Sequence, residues 1–252
     1  MAEHPEEVEE ISEVSSALML NLGNITDARI ASMQRALKAA NRKGIPVLLD
    51  LVGVTCSHLR RDFAKQLLGQ GRFSVIKGNI SEILAAAELP YHGTGIDAGA
   101  QDAVSDSNRA WYCETARHLA EHLGCTVMAT GKQDLIADAQ NAYLVSNGHS
   151  ALSGITGTGC MVGALTAAFL PGSKAVFTKT DVSGPFSGNS RTAQVPFETA
   201  AALLAAITMG ISGEQAAMVS RGPGSFQAAL LDEIYAMTDA QLSEKARLQI
   251  LS

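Results

Sequence analysis

Four short apolar runs, separated by segments of helix length, limit what this chain can fold into. They are Ala17–Leu22, Ile45–Asp50, Phe73–Ile76 and Cys125–Ala129. Strands this uniformly apolar are buried on both faces, as in a parallel sheet covered by helices on each side. Helix signals fill the gaps between them. Thr26 stands as a cap before a face of Ile30, Met33 and Leu37, and Gly44 stops that helix. A short acidic helix is predicted over 5–16 and longer ones over 58–68 and 107–123, while KGNISEI opens another. Residues 89–104 read as a loop, and two short strands near Leu135 and Tyr143 read as a hairpin. Helices resume at Phe197 and run to the C-terminus. The class expected is α/β, one domain over 1–252, with a mostly parallel central sheet and helices on both faces. Residues 171–196, rich in Gly, Ser, Thr and Pro, break the helical period after Leu170 and read as a loop insertion.

Composition removes several function classes. The net charge is −6 and no Lys/Arg cluster stands out, which argues against a nucleic-acid partner. The longest near-uninterrupted apolar run, Ala200–Ile211, falls short of the ~18 residues of a membrane span, so no membrane partner is expected. The acidic start MAEHPEEVEE lacks the basic and apolar regions of a secretory signal. Four widely spaced cysteines with no CxxC fit a reduced, cytoplasmic chain rather than a disulfide or zinc framework.

In a parallel sheet, ligands bind beyond the C-terminal strand ends. The features following Leu22, Asp50, Ile76 and Ala129 should therefore gather on one edge. TGTGCM, residues 156–161, leads straight into an apolar helix. The first amides of a helix lack intrahelical partners and its dipole favours negative charge, so this stretch reads as an anion cradle. A thiol there, Cys160, should have a depressed pKa and act as base, nucleophile or hydrogen-bond partner. The plainer alternative is a Gly-rich helix start with a small buried cysteine. Asn79 and Glu82 lie one turn apart at a strand-to-helix junction, so Glu82 reads either as a water-mediated magnesium ligand or as half of a capping box. Asp50, closing its strand, leaves the same choice. His118 and His122 are one turn apart with no third ligand in view, and read as a solvated helix face.

LNLGNIT, GIPVLLDLVGV, VIKGNISEI, ATGKQDLI, NGHS, TGTGCMVGA and GPGSFQ together span nearly the whole chain. In this order the sequence resembles the hydroxyethylthiazole kinases of thiamine salvage, which have a ribokinase-like fold. The resemblance implies that ATP phosphorylates the primary hydroxyl of 4-methyl-5-(2-hydroxyethyl)thiazole. It implies Cys160 as the base and Met1 and Gly157 as substrate contacts. Lys77, Asn79, Thr130, Thr158 and Gly159 would hold ATP or its phosphates, and Asp50 and Glu82 would organise Mg2+. A homotrimer with sites at the subunit interfaces is implied as well.

Four departures from the family pattern stand out. Family members carry a further stretch upstream of MAEHPEEVEE, and here Met1 itself aligns with a substrate-contacting methionine. Lys77 replaces a usual ATP-binding Arg, a point charge in place of a bidentate fork. DLVGVT stands where DPVGVG is usual, and 171–196 is absent from most members. These departures keep open a truncated or degenerate non-catalytic member. A ribokinase-like enzyme acting on another small compound, such as a hydroxymethylpyrimidine kinase, is the third reading.

Overall fold

The computed structural model describes residues 2–93, 99, 102, 104–177 and 195–251. Seven strands form one sheet in sequence order: β1 (Leu18–Asn21), β2 (Val47–Asp50), β3 (Val75–Asn79), β4 (Thr126–Thr130), β5 (Asp134–Ala137), β6 (Ala142–Val145) and β7 (Leu248–Leu251). β1 to β4 pair in parallel, whereas β4 to β7 pair antiparallel. The expected parallel sheet is thus its first half. The second half turns back on itself because the links after β4 and β5 are too short for a helical crossover.

Alternate strand residues feed two cores. Leu49, Ile76, Val127 and Leu135 belong to one core with α1 (Val8–Val14), α2 (Asp27–Lys43), α3 (His58–Gln70), α4 (Ile80–Ala86) and α5 (Arg109–Leu123). Leu48, Val75, Met128 and Ile136 belong to the other with α6 (Thr158–Phe177), α7 (Phe197–Val219) and α8 (Pro223–Tyr235). A period of two on a sheet buried on both faces produces this split. Local signals set the helix ends as read. Thr26 Oγ1 accepts from the Arg29 amide, and Gly44 closes α2 at φ +74°, a left-handed conformation that favours glycine.

Three expectations are corrected. α6 continues through Pro171 to Phe177, so the first seven residues of the presumed insertion are helical. Proline removes one intrahelical hydrogen bond, yet Leu170 beside it is fully buried in the second core, and that packing carries the helix onward. Residues 178–194 lie outside the described residues. The chain ends not in helix but in α9 (Asp239–Lys245) followed by β7. Lastly, α7 is 23 residues long and apolar enough to cross a bilayer. It passes that test as a core helix, buried against α6, α8 and the sheet.

Candidate active site

The parallel register brings the polar residues together. Asn21, Asp50 and Lys77 are aligned neighbours across β1, β2 and β3, and Asn79 faces Thr130 across β3 and β4. α6 begins over this edge. Its approach is close, because a Cβ on Gly163 would lie 2.7 Å from Met19 Cε and 3.4 Å from Asp50 Oδ2. Gly163 is therefore what lets the helix, and Cys160 with it, reach the strand ends.

Asp50 is the hub, with its side chain fully buried. Its Oδ1 accepts from Lys77 Nζ at 3.2 Å and from the Val52 amide at 3.3 Å. Its Oδ2 accepts from Asn21 Nδ2 at 3.1 Å, and the same Nδ2 donates to Cys160 Sγ at 3.2 Å. Asn21 was not picked out from sequence. The signal available is a polar residue closing an apolar run, at the register position of Asp50.

Cys160 departs from expectation. Burial of the thiol and the charge of Asp50 push its pKa up, while Asn21 and Lys77 pull the other way. The helix N-terminus does not win, because burial of the thiol outweighs it and the charge of Asp50 adds to the rise. The group is a thiol hydrogen-bonded to Asp50, not a free thiolate.

The glycine loop frames the cradle. Gly157 has φ +100°, which a side chain would strain, and Met161 N bonds back to its carbonyl at 2.9 Å. A Cβ on Gly159 would stand 3.8 Å from Lys77 Nζ, so the ammonium faces the first turn of α6 across a gap kept open by that glycine. The Thr158 hydroxyl points back instead, donating to Leu152 O at 3.0 Å. Thr130 Oγ1 donates to Gly78 O at 3.3 Å and holds β4 to β3 at the edge.

Glu82 is 2% exposed and both its oxygens are engaged. Oε2 accepts from Asn79 N at 2.7 Å, and Asn79 Oδ1 accepts from Glu82 N at 2.9 Å, completing a capping box. Oε1 accepts from Gly53 N at 2.7 Å, which pins the loop after Asp50 to α4. Burial raises its carboxyl to about 7 against the lowering effect of those two amides.

Among the described residues no cluster of three His, Cys, Asp or Glu side chains is formed. Magnesium, however, keeps several waters and is held by one or two carboxylates plus phosphates. Asp50 and Glu82, two buried carboxylates against the single ammonium of Lys77, suit a cation of that kind. Met1 lies outside the described residues. His149 caps a 3-10 turn, its Nδ1 accepting from Ala151 N, and takes no part in the cluster.

The hydroxyethylthiazole kinase family profile matches residues 1–240. Hydroxyethylthiazole kinase 2 of Clostridium botulinum strain 657 is 39% identical over 248 residues, covering 98% of this chain and 84% of that protein. The hydroxyethylthiazole kinase of Clostridium botulinum strain Eklund 17B is 36% identical over 254 residues, covering 100% of this chain and 83% of that protein. Among solved structures, the hydroxyethylthiazole kinase protein of Pyrococcus horikoshii OT3 superposes with a TM-score of 0.78 at 28% identity, covering 100% of this chain and 84% of that one. The pyridoxal kinase of Staphylococcus aureus, at TM-score 0.55 and 16% identity over 98% of this chain and 77% of that one, shares the fold.

Proposed function

The chain belongs to the hydroxyethylthiazole kinase family, and on that premise we propose how its residues perform the reaction. The activity is ATP-dependent phosphorylation of the hydroxyl of 4-methyl-5-(2-hydroxyethyl)thiazole in thiamine salvage. One observation carries the site assignment: Cys160, Asn21, Asp50 and Lys77 form a continuous hydrogen-bonded chain under the glycine loop at the parallel strand ends.

The substrate hydroxyl meets Cys160 at the start of α6, beside the Gly157 backbone. Phosphoryl transfer runs through a loose transition state, so positioning and charge stabilisation matter more than strong base chemistry. The amides of 158–160 and the Lys77 ammonium face the developing charge on the transferred group. As the hydroxyl is phosphorylated, its proton passes to Cys160 Sγ while the thiol proton moves toward Asp50, its hydrogen-bond partner. Positioned proton transfer of this kind is worth roughly 10²–10⁴ in rate.

Asn79 and Thr130 line the nucleotide side of the edge, consistent with their alignment across β3 and β4. Asp50 and Glu82 would hold Mg2+, which would supply positive charge toward the phosphates. Met1 as a thiazole contact and the homotrimer rest on the family resemblance. Four unpaired cysteines support a cytoplasmic location.

The test is mass-spectrometric detection of thiazole phosphate after incubation with ATP, magnesium and the thiazole alcohol, with a magnesium-free arm. Product in the complete mixture and loss of product on chelation are expected. A folded chain that forms no product overturns the reading, and turnover unaffected by chelation removes the metal role.

A further inference from the structure

A cavity of about 600 Å³ opens between α5 and the edge strand β7, and it shares no residue with the cleft described above. One wall is a single stripe of α5. Arg109, Cys113 and Arg117 recur every fourth residue and so share a face of the helix. The opposite wall, Ile250 and Leu251 of β7, is apolar.

The two arginines are incompletely partnered. Arg109 Nη2 pairs with Asp106, yet its Nε is buried without an acceptor. Arg117 Nε is likewise buried without one, and among the described residues Arg117 makes no ion pair. Both guanidiniums act on the thiol of Cys113 between them, so their charges converge on one stretch of the wall. Asp106 pairs with Arg109, and exposed Glu114 and His118 also line the cavity, so its wall carries carboxylates as well as guanidiniums. Arg117, in no ion pair among the described residues, stands one turn from Glu114.

We propose that this cavity binds a small phosphate monoester. The Nη–H groups of Arg117 fork onto the phosphate, and Arg109 adds a second positive charge. The two residues lie roughly 12 Å apart along the helix axis, a span two arginine side chains close around one phosphate. The volume lies within the 300–1,000 Å³ typical of small-molecule sites, well above what a lone oxyanion fills, and the apolar β7 wall suits an organic body.

The intact chain would be titrated with butyl phosphate and, separately, with inorganic phosphate. Calorimetry and the fluorescence of Trp111, the sole tryptophan and the neighbour of cavity-lining Ala110, would follow binding in the presence of excess ATP. Saturable binding of butyl phosphate is expected, tighter than inorganic phosphate and weakened at least tenfold in Arg117→Gln. Arg117→Lys, which keeps the charge and loses the fork, should fall between them, and it replaces Arg117→Gln if that variant fails to fold. Absence of saturable binding by the wild type overturns the proposal, as does full affinity in the variants. Equal affinity for both phosphates overturns the monoester assignment. Self-association sensitive to Arg117 but not to butyl phosphate would make this face an interface between copies instead.

Discussion

Removing the Lys77 ammonium should cost this fold several kcal/mol, and the structure says why. Lys77 Nζ sits 3.2 Å from Asp50 Oδ1, with side-chain exposures of 4% and 0%. At that depth a carboxylate that loses its cation stays desolvated and uncompensated, a change that costs about 3–5 kcal/mol. Two donors remain on Asp50, Asn21 Nδ2 at 3.1 Å and Val52 N at 3.3 Å, which argues for the lower end. Lys77→Met should therefore lose about 3 kcal/mol, or roughly 6–12 °C in Tm for a chain of this size. Urea unfolding followed by circular dichroism measures the loss. In a double-mutant cycle, Lys77→Met with Asp50→Asn should lose less than the sum of the singles by at least ~1.5 kcal/mol. A single-variant cost under about 1 kcal/mol, or strict additivity, would refute the buried-pair reasoning.

Gly210→Ala should destabilise by about 1–3 kcal/mol, because its Cβ would fall 2.5 Å from Asn147 Cβ and 2.6 Å from the Asn147 backbone carbon, which cannot swing aside; a thermal melt checks this. Asp134 gives a pH prediction. Burial raises its carboxyl from 3.8 to about 7 in the fold, against the lowering effects of the Gly131 amide and Lys77. The folded chain then binds the extra proton between those values, so this contribution is present in acid and is lost as pH rises through about 4–7. Asp134→Asn, which keeps an acceptor for Gly131 N, should flatten that slope in unfolding free energy against pH, and an unchanged slope would exclude Asp134 as its source.

Much of the site was legible because parallel strands leave a strong mark. Uniformly apolar runs closing in Asp50, in KGN and in Ala129-Thr130 announced both the sheet and the edge where chemistry collects. Caps at Thr26 and Asn79 set helix starts by local bonds that the sequence states outright. What remained hidden depends on tertiary contact. Among the described residues β7 pairs only with β6 and is half-exposed, so LQIL carries no clear periodic signal. Pro171 looked like a break because its cost is local, whereas the packing that offsets it belongs to α7. Asn21 entered the site through its register with Asp50. The Cys160 pKa went the other way from the helix-dipole argument because no spacing rule tells that the thiol is buried and that Asp50 acts on it.

The central claim is that Cys160 handles the proton of the substrate hydroxyl at the head of α6. The direct test is kcat for thiazole phosphorylation by Cys160→Ala and Cys160→Asp beside the wild type, with folding checked by circular dichroism. The account predicts a loss of roughly 10²–10⁴ in kcat for Cys160→Ala, with KM for ATP little changed and partial recovery in Cys160→Asp, which restores a proton acceptor. A folded Cys160→Ala variant that turns over at the wild-type rate would contradict it.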